Sequence, residues 1–173
     1  MTGPVSGPVS GPASVPVAAR GGAPVGVLAD LDVIEACAVL YLRLWNGGAA
    51  AQRQMLAEFG RAIGPDGAQA TLNSLGRICD LCARHGRRPI MRHGITCKCL
   101  GSDEACFANL VMLAARGDRE DAMLIATLMV RPDMAPALAG LAQTFGLGLT
   151  RLTRRQAPAA KPPVADQAGE RLH

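Results

Sequence analysis

The sequence predicts an all-α protein, a compact bundle of about six short helices with disordered N- and C-terminal tails. Composition is the first reason: hydrophobic residues make up 49 % of the 173-residue chain, but aromatic residues only 3 %. Ala, Leu, Met and Arg dominate, and these keep most of their rotamer freedom in a helix, whereas the β-branched and aromatic residues that fill strands are scarce. The second reason is apolar spacing at a helical period, and the third is the Gly and Pro residues that separate most of the periodic stretches.

Both ends differ from the middle. Residues 1–26 repeat GPVS, GPVS, GPAS and run on as VPVAARGGAPVG. Proline removes backbone donors and glycine raises unfolded-state entropy, so this segment reads as a disordered tail. Residues 154–173 read the same way, which leaves 27–153 to fold as one helical domain. That domain holds 13 Lys or Arg against 12 Asp or Glu, so it is close to neutral.

The first helix is placed at 28–46, with Leu31, Ile34, Ala38, Leu42 and Trp45 at helical spacing and Asn46-Gly47-Gly48 as its stop. A second, 49–63, repeats Met55, Leu56, Phe59 and Ile63 and ends at Gly64-Pro65. The third, 66–85, starts at a capping Asp66, lines up Leu72, Leu75, Cys79 and Cys82 and stops at Gly86. Ser102 reads as the cap of a fourth, in which Asp103 and Glu104 meet the positive end of the helix dipole and Cys106, Leu110 and Leu113 face inward. Asp118 reads as the cap of a fifth, 119–131, which Pro132 ends. A sixth, 133–145, stops at Gly146, and 147–153 is too short to assign between a strand and an extended strap.

Residues 77–106 hold five of the six cysteines and two of the three histidines. Zinc takes four N or S donors in a tetrahedron, supplied by pairs close in sequence and separated by a loop. Cys79-x-x-Cys82 and Cys97-x-Cys99 offer such pairs, with Cys106 or His93 as substitutes, so a structural zinc joining two helices is the favoured reading of this cluster. An iron–sulfur cluster is the alternative on the same thiolates. Against both, Cys79, Cys82 and Cys106 also continue apolar helical stripes, as packed cysteines do. A third reading makes redox thiols of Cys97, Cys99 and Cys106, with Arg92, Lys98 and the start of a helix favouring the thiolate.

Between Arg84 and Lys98 lie Arg84, Arg87, Arg88, Arg92 and Lys98 without one acid. Such a run meets phosphates or an acidic protein face, so nucleic acid and a protein partner are both expected ligand classes. No recognition-helix or base-stacking pattern accompanies it. No phosphate loop, dinucleotide fingerprint, nucleophile elbow or helical HExxH occurs either. The expectation is therefore a non-catalytic regulatory or adaptor protein. Residues 1–26 lack the pattern of a secretory signal, and no charge-free run of about 18 apolar residues occurs, so a cytoplasmic location away from membranes is expected.

Overall fold

A computed structural model describes residues 20–156; of the tails expected at 1–26 and 154–173, residues 1–19 and 157–173 lie outside the described residues, and 154–156 belong to the last helix. Five helices carry the fold: α1 (Val33–Trp45), α2 (Gly48–His85), α3 (Ser102–Arg116), α4 (Arg119–Met129) and α5 (Ala135–Gln156). β1 (Pro24–Val27) and β2 (Cys99–Gly101) form a two-stranded antiparallel ribbon, and 3-10 turns occupy Leu28–Asp30 and Pro132–Met134. Among the described residues no helix is long and apolar enough to cross a membrane.

The all-α class agrees with the sequence, and the differences are local. β1 places regular structure inside the segment expected to be a tail. It pairs Gly26 with Leu100 and Val27 with Cys99, and a strand of this composition is ordered by its partner rather than by its own propensity. The first helix starts at Val33 instead of 28, because Asp32 caps it: Asp32 Oδ1 accepts from Ile34 N at 3.0 Å while Asp32 N donates to Glu35 at 3.1 Å.

The two expected helices, 49–63 and 66–85, are the two arms of α2, which meet at a non-helical Gly64 (φ 80°, ψ 165°). Pro65 follows in the position where a missing N–H costs a helix start nothing. The stop expected at Gly64-Pro65 is thus present as a one-residue break, and Asp66 lies in the first turn of the second arm instead of capping it. Ser102 is the first residue of α3 and not its cap; its hydroxyl donates to Arg20 O at 2.8 Å. Asp118 makes no side-chain cap bond to α4.

The last helix passes through Gly146 and continues to Gln156, so 147–153 is helical. Its glycines serve close packing. A Cβ on Gly146 would lie 2.8 Å from Val111 O in α3, and one on Gly148 would lie 2.2 Å from Thr71 Oγ1 in α2. α5 is wedged between α2 and α3 at these two points. Around it Phe59, Phe107, Phe145, Met55, Leu75, Ile78, Leu110, Leu138 and Leu149 are fully buried, each large side chain contributing about 1.5–3 kcal/mol by leaving water. Leu56, expected inside, is 38 % exposed.

Candidate functional site

α2 ends at His85 and β2 begins at Cys99. Between them residues 86–98, the basic loop, form no helix and no strand longer than a single bridge from Gly86 to Val130. An irregular segment of this length must find partners for its backbone outside itself. α1, the first turn of α3 and the end of α4 supply them.

Arg43, in the last turn of α1, is 5 % exposed and Glu104 is fully buried. They form a two-pronged ion pair, Nε to Oε1 and Nη2 to Oε2, both 2.7 Å. The guanidinium also reaches the loop: Nη1 donates to Gly94 O at 3.2 Å and Cys97 O at 2.6 Å, and Nη2 to Cys99 O at 2.7 Å. Glu104 accepts in turn from His93 N at 3.0 Å and Gly101 N at 2.9 Å. Burial pushes its carboxyl up, but the bonds from Arg43, Gly101 and His93 outweigh that and hold it below the ordinary 4.5. Asp103 beside it pairs with Arg88 through both guanidinium ends and accepts from Met91 N at 2.8 Å. Two carboxylates in the first turn of α3, where the helix dipole favours them, thus hold the loop from below. Among the described residues no buried side-chain N or O lacks a partner.

Held in this way, the loop turns apolar side chains outward. Met91 is 38 % and Ile95 50 % exposed. With Leu44, Ile90 and Arg92 they line an open groove of about 640 Å³ against the end of α1. The basic residues are less free than their number suggests. Arg88 is committed to Asp103, Arg84 lies 3.6 Å from Asp80, and Arg87 Nε donates to Thr127 O at 2.7 Å. Lys98 stays exposed.

The six expected ligands fall into three places. Cys79 and Cys82 share a cleft of about 330 Å³ with Trp45, Ile90 and Arg92. Burial pushes the Cys79 thiol up to about 11, against a smaller opposing pull from Arg92, and pushes Cys82 up to about 12. His93 and Cys97 lie together in the loop, with Cys97 Sγ 3.5 Å from His93 Nδ1, and Cys99 follows at the start of β2. Cys106 lies by Asp103 and Arg88, its thiol raised mainly by burial. Among the described residues no group of three or more His, Cys, Asp or Glu side chains is placed to hold a metal ion. The lowering expected of the Cys99 and Cys106 thiols is also not found: Cys99 is raised, first by its hydrogen bond with Cys97.

Sequence reasoning does not single out Arg43. The available signal is a lone cation inside the apolar run Val39-Leu40-Tyr41-Leu42-Arg43-Leu44-Trp45, a place where an arginine is buried only with a carboxylate to meet it. From sequence, Asp103 and Glu104 are dipole partners alone. Neither a family model, nor a curated protein, nor a solved structure matches this chain.

Proposed function

We propose that this chain is a non-catalytic regulatory or adaptor module that docks a protein segment in the groove between the basic loop and the end of α1. One observation carries the reading: an irregular loop is anchored through buried Arg43, Asp103 and Glu104 while Met91 and Ile95 are left exposed. A loop fixed before binding loses little entropy on binding. In this reading the anchoring between helices is done by ion pairs. The groove's apolar lining with Arg92 at its edge fits a partner segment that places an apolar side chain next to a carboxylate.

Nucleic acid fits less well, because three of the five cations from Arg84 to Lys98 already have partners in the fold and the groove lining offers no Phe, Tyr or Trp face for a base. Selection of a random peptide library on the full chain tests the proposal. Enriched peptides should pair an acidic with an apolar residue, and Ile95→Asp or Arg92→Glu should weaken them by about tenfold or more, the loss of roughly 1.4 kcal/mol. Peptides that bind both variants as well as the parent would contradict it. So would tight, salt-sensitive retention of single-stranded nucleic acid that Lys98→Glu abolishes.

A further inference from the structure

The cluster His93, Cys97 and Cys99 has an order that the docking reading does not use. His93 Nε2 lies 3.0 Å from Gly22 O. A carbonyl oxygen only accepts, so Nε2 carries the hydrogen, and in the neutral ring Nδ1 is left as the acceptor. Cys97 Sγ is 3.5 Å from that Nδ1. A thiol, a base within reach and a third group that fixes the base's tautomer are the parts of an activated nucleophile. His93 is held in place a second time by its own backbone N–H to Glu104 at 3.0 Å. Cys99 is two residues on, at the start of β2, near enough that Cys97 is the first influence on its thiol. Both cysteines are partly exposed, so a small solute reaches them.

We infer that Cys97 is a peroxide-reactive thiol activated by His93, with Cys99 as the thiol that resolves it. The Cys97 proton passes to His93 Nδ1. The thiolate attacks one oxygen of a hydroperoxide, forming S–O as O–O breaks, and the leaving oxygen takes the proton back from His93 and departs as water or an alcohol. Cys99 then attacks the Cys97 sulfur; S–S forms, S–O breaks, and the hydroxyl leaves as water with the Cys99 proton. Two thiols are oxidised to one disulfide while one hydroperoxide is reduced. Cys79 and Cys82 are the internal comparison, burial holding both as thiols. This site stands on its own geometry, independent of whether the groove docks a partner.

The test treats the reduced full chain with hydrogen peroxide at neutral pH and maps all six cysteines by mass spectrometry over time. Cys97 should react first, roughly tenfold or more ahead of Cys79 and Cys82, and end in a Cys97–Cys99 disulfide. Cys99→Ser should instead leave Cys97 as a sulfenic acid that dimedone traps. His93→Gln keeps an amide N–H for Gly22 O but removes the base, and should slow Cys97 by about tenfold or more. Circular dichroism confirms that each variant is folded; should His93→Gln unfold, the parent's ranking of the six thiols decides alone. Cys97 reacting no faster than Cys106, or a folded His93→Gln that reacts at the parental rate, would overturn the inference.

Discussion

Replacing Glu104 by Gln changes one oxygen for an amide nitrogen in a fully buried site and leaves the shape nearly unaltered. The carboxylate accepts four hydrogen bonds, two from Arg43 and one each from His93 N and Gly101 N. The substituted amide keeps a single accepting oxygen, so whichever way it is turned two of those donors face an NH₂ group. Each buried donor left without an acceptor costs about 1–3 kcal/mol. Seen as an ion pair, the same change leaves the Arg43 charge buried without its counter-ion, a loss of about 3–5 kcal/mol. The two figures describe one loss and agree. Urea unfolding followed by circular dichroism should therefore show Glu104→Gln destabilised by about 3–5 kcal/mol. The control is Asp133→Asn in the exposed Arg131–Asp133 pair, which should unfold at nearly the parental urea midpoint because solvent screens such a pair. A change below about 1 kcal/mol for Glu104→Gln would refute the claim that this pair anchors the loop.

Further expectations concern helix packing and pH. Gly148→Ala puts a methyl 2.2 Å from the buried Thr71 Oγ1, which is itself tied to Gly67 O at 2.7 Å, and should cost about 1–3 kcal/mol. Gly140→Ala in the same helix meets nothing within 4 Å and should raise stability by about 0.5–1 kcal/mol; equal melting temperatures for the two variants would contradict the packing described for α5. The Glu104 carboxyl is held below 4.5, so its contribution is present above that pH and disappears as pH falls through the folded-state value. Glu104→Gln should therefore lose less stability on acidification than the parent. The Cys79 and Cys82 thiols, raised from 9.0 to about 11 and about 12, contribute stability below pH 9.0 that is lost as pH rises toward those values. Urea midpoints from about pH 8 upward should then fall less steeply in the double variant Cys79→Ala, Cys82→Ala than in the parent, and parallel curves would contradict the burial of these thiols.

Most of the helices were legible because each buries one face, and a repeat of about 3.6 residues is what one-sided burial leaves in a sequence. Ala38, Leu42, Phe59, Leu75 and Leu110 were all expected inside and are buried. Glycine was where local reading failed. Gly64 and Gly146 look alike as stops, but only Gly64 breaks its helix, at a positive φ, while Gly146 lets two helices touch; the difference lies in what packs opposite, which no local window contains. β1 was hidden for the same reason, since its order comes from β2, far along the chain.

Of the candidate site, the loop was legible as the segment between two helices, rich in cations, cysteine and histidine. Its anchoring was not. Arg43 lies 61 positions from Glu104, and a contact of that separation leaves no periodic trace. The sequence brings Cys79, Cys82, Cys97 and Cys99 together by spacing alone, whereas the fold assigns the helical pair to one cleft and sets Cys97 beside His93.

Amide hydrogen exchange across the basic loop tests the central claim most directly. If Asp103 and Glu104 hold the loop, the Met91 and His93 amides should be protected although they lie in neither helix nor strand, and Glu104→Gln should release His93 first. Uniformly fast exchange from Arg87 to Lys98 in the parent protein would show a loop that nothing anchors.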